Sequence, residues 1–452
     1  MTRSAREVAF DVLRAVDESE AYANLLLPRE LAVAGLSPQD AALATELTYG
    51  TLRRQGTYDA VIAQAASRAV DAIDPPVRDA LRLGTHQLLA TRVPAHAAVN
   101  ETVRHVRQTA GAPASGFANA VLRRVSERTA DEWIALLEGA ARSDDERLAA
   151  RWSHPVWVIR AFRRALAAEN RADELDELLA ADNAAPSVTM TALPGLAEVP
   201  PGAEATGYSP IGFRLGGGEP GPMIAASGGR IRVQDEGSQL AALALTRVVP
   251  VRTGERWLDL CAAPGGKTAV LAAEALAGGA TLEANELSAA RVGLVRDSVR
   301  GVPLEIPVSH EDGRTRAGRG RYDRILLDAP CTGLGALRRR PEARWRKRPA
   351  DVPALTELQH GLLDAALDAV APGGVVAYVT CSPHLAETRG VVAEVLHRRD
   401  GTVEELDARA VVGGISMRPM DLAAAADGGG RAQLWPHRHG TDAMSITLLR
   451  RS

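Results

Sequence analysis

The chain has 452 residues, 46% hydrophobic and 24% charged, which fits a folded protein of two or three domains and excludes a disordered one. Three cysteines, at 261, 331 and 381 with no CxxC pair, exclude both a disulfide framework and a cysteine zinc site. The sequence shows neither a leader-like N-terminus nor a run of about 18 apolar residues, so a cytoplasmic protein without membrane or metal is expected.

The net charge of −3 conceals an asymmetry. Between residues 314 and 348, twelve Arg or Lys stand against three acids. Such an excess is the electrostatic footprint of a phosphate-bearing partner, although a solvated basic loop has the same composition. Only two lysines, Lys267 and Lys347, accompany 51 arginines, so a lysine at a motif position draws attention.

Residues 1–128 read as helical throughout. Val8, Val12, Leu13 and Val16 keep helical spacing, as do Leu81, Leu83, Leu88 and Leu89. Ser37-Pro-Gln-Asp40 has the form of a helix start, Gly50 that of its stop, and Asp74-Pro-Pro begins the next helix. An all-α domain is expected. Residues 129–235 are less regular, with a helix at 173–179, extended pieces at 187–193 and 230–234, and a Pro/Gly-rich stretch at 200–222. They read as a small α+β connecting subdomain.

Residues 236–452 alternate strand and helix. Apolar runs suited to buried parallel strands lie at 257–261, 281–285, 324–328, 375–380 and 445–449. Helical stretches lie at 268–276, 289–299, 355–370 and 388–397. This order implies a doubly wound α/β sheet with its ligands at the carboxyl ends of the strands.

Four segments carry chemistry. Asp259-Leu-Cys-Ala-Ala-Pro-Gly-Gly-Lys-Thr268 is a strand end, a glycine turn and a helix start. A phosphate-binding P-loop needs glycine five residues before Gly266, where Cys261 stands, so an ATPase is excluded. Such a turn instead lets the backbone approach an adenosine-bearing cofactor. Glu286, closing the second strand, can accept hydrogen bonds from both ribose hydroxyls, and Asp312, after the third, is placed to meet the adenine.

Leu326-Leu-Asp-Ala-Pro-Cys331 and Tyr378-Val-Thr-Cys-Ser382 end the fourth and fifth strands. Two cysteines thus emerge from adjacent strands onto the ligand-binding edge, beside Asp328. Carbon 5 of cytosine is a poor nucleophile, and a thiolate adding to carbon 6 makes it reactive toward an electrophilic methyl. Asp328 is positioned to hold the base, and Lys267 is a candidate for raising the thiolate fraction. Chemistry alone allows either Cys331 or Cys381 to attack.

At these motifs the chain resembles the bacterial ribosomal-RNA cytosine-5-methyltransferases of the Sun/Fmu type, within the wider NOL1/NOP2/Sun family. Cys-Ala-Ala-Pro-Gly-Gly-Lys, Asp-Ala-Pro-Cys and Thr-Cys-Ser stand in the family's order, led in by Val233-Gln-Asp-Glu-Gly-Ser-Gln239. Thr45-Glu-Leu-Thr-Tyr-Gly50, Ala97-Ala-Val-Asn-Glu101 and Gly116-Phe-Ala-Asn-Ala-Val-Leu-Arg123 resemble the RNA-binding NusB fold. The resemblance implies three parts: a NusB-like helical domain at 1–128, the connecting subdomain at 129–235, and a Rossmann-like class I methyltransferase domain at 236–452.

It further implies S-adenosyl-L-methionine as cofactor, contacted by Cys261, Ala262, Ala263, Pro264, Gly265, Gly266, Lys267, Glu286, Asp312 and Asp328. Cys381 would be the nucleophile and Cys331 would assist product release. RNA contacts are expected from Arg338, Arg339, Arg340, Arg344, Arg346, Lys347 and Arg348, the partner being ribosomal RNA, of the small subunit by the NusB-like domain. A monomer is expected. A non-catalytic ribosome-assembly protein is the alternative, and a DNA methyltransferase would need a target-recognition domain that is not visible. Three departures from the family pattern stand out: Thr388 after Glu387 in place of asparagine, Glu286 in place of aspartate, and no aromatic pair in Gly440-Thr-Asp-Ala-Met-Ser.

Overall fold

The computed structural model describes residues 3–19, 21–316, 318, 321–426 and 428–452. Arg319 and the Arg316 side chain, counted in the basic stretch, lie outside the described residues. The chain forms two compact units. Residues 129–235, expected as one subdomain, divide between them.

The first unit comprises Met1–Arg160, Leu179–Ala184 and Leu337–Arg346. Its helices include Ala5–Ser19, Ala23–Ala34, Pro38–Arg53, Gln55–Ala66, Pro75–Ala90 and Ala95–Val125. Their apolar stripes meet in one core through Val8, Val12, Leu47, Val61, Ile62, Leu81 and Leu122. Ser37 caps its helix by accepting from the Asp40 backbone N–H at 3.2 Å. Gly50 does not stop that helix, which runs on to Arg53. A Cβ at Gly50 would lie 2.2 Å from the His86 ring, so the glycine serves close packing rather than termination.

The second unit comprises Ala161–Leu178, Ala185–Ala336 and Lys347–Ser452. It opens with a small antiparallel sheet of β1 (Thr189–Ala192), β2 (Glu204–Ala205), β3 (Gly212–Arg214) and β4 (Ile231–Val233), in the order β2-β3-β1-β4. The expected extended pieces at 187–193 and 230–234 are thus β1 and β4, paired with each other.

The large sheet holds β5 (Arg256–Asp259), β6 (Thr281–Asn285), β7 (Val308–Ser309), β8 (Tyr322–Asp328), β9 (Val370–Thr380), β10 (Val403–Leu406), β11 (Ala432–Gln433) and β12 (Ser445–Arg451). Its order is β10-β12-β9-β8-β5-β6-β7, with β11 beside β12. The chain builds outward from β5 through β6 to β7, then returns to the other side of β5 as β8. That reversal is the switch point where the loops after β5 and β8 diverge and leave a crevice.

β5 to β9 pair in parallel, but β12 runs antiparallel to β9, correcting the expectation of a parallel run at 445–449. An unbroken apolar run signals burial of both faces and carries no information on direction. Alternate residues feed two cores. Trp257, Leu326 and Ala377 face helices Glu236–Arg247 and Gly266–Gly278, whereas Leu258, Leu327 and Tyr378 face Val352–Ala369 and Val391–Arg398.

Arg324 enters β8 fully buried. Its guanidinium donates to Glu255 Oε2 at 2.7 Å and to the carbonyls of Leu245, Thr246, Val249 and Pro250. A buried cation is tolerated when every N–H finds an acceptor, and this one ties the sheet to the helix in front of it.

Candidate active site

The loop from Cys261 to Gly266 leaves β5 and enters helix Gly266–Gly278. Gly265 has φ +106°, and a Cβ there would lie 2.5 Å from the Ser298 side chain, so both conformation and space require glycine. Glu286, directly after β6, braces this loop. Its Oε2 accepts from Ala263 N at 3.2 Å, while Oε1 accepts from Ser288 N at 2.8 Å and from Arg291 at 2.7 Å. Asn285 beside it donates to the carbonyls of Leu260 and Glu311 and so joins the ends of β5 and β7. Asp312 is gripped by Arg314, whose hydrogen bonds hold its carboxyl below the usual range.

Two polar groups face inward here. Thr268 donates to Asp259 at 2.7 Å, and burial pushes the Asp259 carboxyl up to about 7. The Gln234 amide is buried, and among the described residues neither its oxygen nor its nitrogen has a hydrogen-bond partner. It lies over Gly266, 3.5 Å from where a Cβ on that glycine would be. A buried polar group is normally satisfied, so this amide stands out beside the glycine turn. Sequence reasoning missed it, although the Val-Gln-Asp signature was in view.

Ala329 N donates to Val379 O at 2.8 Å, so the loop after β8 starts level with the last turn of β9. This brings Cys331 Sγ to 3.5 Å from Cys381 Sγ. Lys267 Nζ donates to Asp328 Oδ2 at 2.7 Å. Burial works against the Lys267 charge, but the Asp328 carboxylate and the Cys381 sulfur outweigh it and raise its pKa. The Cys331 thiol is pushed well above its ordinary value by its hydrogen bond to Cys381 and by burial. Cys261 is pushed up by burial as well, which leaves it a packing thiol in the glycine loop.

The turn Leu334–Ala336 packs against the loop that carries Cys381. Gly335 N donates to Cys381 O at 2.8 Å, and Ala443 N donates to Gly335 O at 2.8 Å. The segment lacking the aromatic pair therefore lies directly against the cysteine loops, with Thr441, Asp442, Ala443 and Met444 buried. Glu387, another residue given no role from sequence, is fully buried under both cysteine loops.

The arginine-rich segment does not form one face. Arg338, Arg339 and Arg340 are half-buried in the first unit, with Arg340 and Arg346 5.3 and 5.2 Å from the centre of the Tyr22 ring. Arg346 also donates to Val16 O at 3.0 Å. Arg344, expected at the RNA, is fully buried and donates to Arg53 O, Ser153 O and Asn183 Oδ1 at 3.0 to 3.2 Å. Burial pulls its pKa down to about 10. Its role is structural, since no face of it meets solvent. Lys347 is half-buried and Arg348 exposed, both in the second unit. Among the described residues no cluster of three His, Cys, Asp or Glu could hold a metal, and no helix is long and apolar enough to cross a membrane.

A doubly wound sheet with a glycine turn after its first strand, acids after the second and third, and reactive groups after the fourth and fifth defines a Rossmann-like methyltransferase. The family model described as 16S rRNA methyltransferase RsmB/F matches residues 246–450, and that of the NusB family matches residues 3–127. A methyltransferase of Mycobacterium tuberculosis is 49% identical over 459 residues, covering 99% of this chain and 96% of its own. Ribosomal RNA small subunit methyltransferase B of Pseudomonas putida is 35% identical over 420 residues, covering 89% and 91%. The crystal structure of PH0851 shares the fold at a TM-score of 0.81 and 23% identity, covering 99% of this chain and 98% of that one. The chain belongs to the RsmB/F family and is an RNA methyltransferase with an N-terminal NusB domain.

Proposed function

We propose that this enzyme methylates carbon 5 of a cytosine in small-subunit ribosomal RNA through a covalent bond from Cys381 to the base. The observation that carries this reading is the pair of thiols 3.5 Å apart at neighbouring strand ends, beside a half-buried Lys267–Asp328 ion pair. Two thiols facing one crevice fit a reaction that must both form and break a sulfur–carbon bond.

The donor set fits S-adenosyl-L-methionine. Gly265 gives the loop its left-handed turn, the Gln234 amide over Gly266 has no partner among the described residues, and Glu286 and Asp312 stand at the next two strand ends. The Glu286 oxygens already accept three hydrogen bonds from the protein, so a ribose would meet about one remaining lone pair, on Oε2 of a rigid carboxylate. When bound, the cofactor supplies an electrophilic methyl group.

The Cys381 thiolate adds to carbon 6, and the ring electrons pass to carbon 5. Asp328 holds the base at its polar edge, and the Lys267 charge beside it favours the thiolate of Cys381. After carbon 5 has taken the methyl group, its proton passes to a water molecule, the electrons of that bond restore the carbon 5–carbon 6 double bond, the sulfur–carbon bond breaks and Cys381 is again a thiolate. Cys331, held as a thiol next to that sulfur, assists the release. The NusB domain and the Arg338–Arg340 triplet support an RNA partner.

With radiolabelled cofactor and ribosomal RNA, the parent chain is expected to transfer methyl groups to cytosine 5. Cys331→Ala should accumulate a denaturant-resistant protein–RNA adduct, whereas Cys381→Ala should form none. The opposite pattern would reverse the two assignments. A parent chain that never methylates RNA would favour a ribosome-assembly scaffold.

A further inference from the structure

Glu387 lies in a single π-helical turn, Ala386–Gly390, that leads into helix Val391–Arg398. Turns of this kind inside helices recur at functional sites. The side chain is fully buried, and a buried carboxylate is retained at a high desolvation cost unless its oxygens are satisfied. Here its hydrogen-bond partners are neutral groups, and they come from both cysteine loops. Oε1 accepts from the Thr332 backbone N–H at 2.7 Å, and Oε2 accepts from the Thr332 hydroxyl at 2.5 Å. The Ser382 hydroxyl donates to the same Oε2 at 2.6 Å, and Gln359 Nε2 reaches Oε1 at 3.4 Å. Thr332 follows Cys331 and Ser382 follows Cys381. Their two hydroxyl oxygens are themselves 3.0 Å apart. One carboxylate therefore joins the residue after each thiol, in a layer directly behind the sulfur pair. Tyr378 fixes the turn from below by donating to the Glu387 carbonyl at 2.6 Å.

We infer that Glu387 is a positioning residue that clamps the two cysteine loops together and so sets the spacing and shared direction of the thiols. The inference rests on the reading of Cys331 and Cys381 as the reactive pair. The clamp also acts on charge. Beyond the Cys381 hydrogen bond and burial, the Glu387 carboxylate helps to keep the Cys331 thiol protonated. A neutral amide would break the arrangement at a definite point. The N–H₂ end of glutamine cannot face the Thr332 backbone N–H, and facing the two hydroxyls it forces both to turn from donating to accepting and takes away the negative charge they now stabilise.

The test uses the full-length chain and measures the thiols apart from methyl transfer. Diamide should oxidise the parent to an intramolecular Cys331–Cys381 disulfide, followed by peptide mapping. In Glu387→Gln the rate of that oxidation is expected to fall at least tenfold, with far-ultraviolet circular dichroism unchanged. Methyl transfer should fall at least a hundredfold in kcat with little change in KM for RNA. Thr332→Val removes only one hydroxyl and covers the case in which the glutamine variant does not fold. It should slow disulfide formation, and Thr332→Ser should bring the rate back toward the parent's. Equal oxidation rates in the parent, folded Glu387→Gln and Thr332→Val would overturn the clamp. If oxidation slows in the variants but the parent never methylates RNA, the clamp stands and the proposed function fails.

Discussion

At the residue scale, two carboxyl groups lie below the surface of the site for different reasons. Glu387 is surrounded by donors, whereas Asp259 has one close side-chain donor, Thr268, and burial raises it to about 7. The folded state therefore holds a proton that the unfolded chain releases near pH 4, the usual carboxyl value of about 3.9. Stability from this neutral carboxyl is complete below about pH 4 and is lost as pH rises to about 7, by on the order of 4 kcal/mol. Urea unfolding of the parent should show a fall between about pH 4 and 7 that Asp259→Asn flattens. Parallel curves would mean that Asp259 does not titrate in this range. The sequence marks Asp259 as a strand end but does not show its burial, because burial depends on the helix that covers it.

At the scale of elements, the short turn Leu334–Ala336 carries the tightest constraint in the site. A Cβ on Gly335 would lie 1.9 Å from Ala443 O and 2.8 Å from Cys381 O, both backbone atoms that cannot swing aside. Gly335→Ala should destabilise the chain by about 1–3 kcal/mol, the usual range for overpacking. A misplacement near 1 Å also costs roughly a hundredfold in rate, so methyl transfer should fall by that order. A variant with parent-like turnover would mean that the turn does not position Cys381. The strands bearing the motifs were legible because each is a buried apolar run that ends in a glycine turn or a cysteine. The direction of β12 and the passage of a helix through Gly50 were not legible. The first depends on which neighbour β12 finds, and the second on the His86 ring packed against that glycine.

At the scale of the whole molecule, the basic stretch from 314 to 348 is spread over two units. Arg324 and Arg344 are buried, Arg314 grips Asp312, and Arg321 reaches Glu283. Of the residues expected at the RNA, Arg338, Arg339 and Arg340 are half-buried in the first unit and Arg348 is exposed in the second. Replacing Arg338, Arg339 and Arg340 with glutamine should weaken RNA binding and flatten its dependence on salt, since each phosphate contact contributes to that slope. Arg344→Leu should leave the salt slope unchanged but lower stability by about 3 kcal/mol, through acceptors left without their cationic donor. A slope that changes with Arg344 alone would place that residue at the RNA.

The sequence by itself determined the class of chemistry. Motif order, strand-end cysteines and the glycine turn follow from local backbone rules that need no tertiary partner. Tertiary structure decided which of those residues work together. Only folding brings Cys331 and Cys381, 50 positions apart, to 3.5 Å, places Glu387 behind both, and draws Arg344 from a basic run into a core. The physical reason is that reactivity and burial are set by neighbours in space, and the sheet's return across β5 chooses those neighbours.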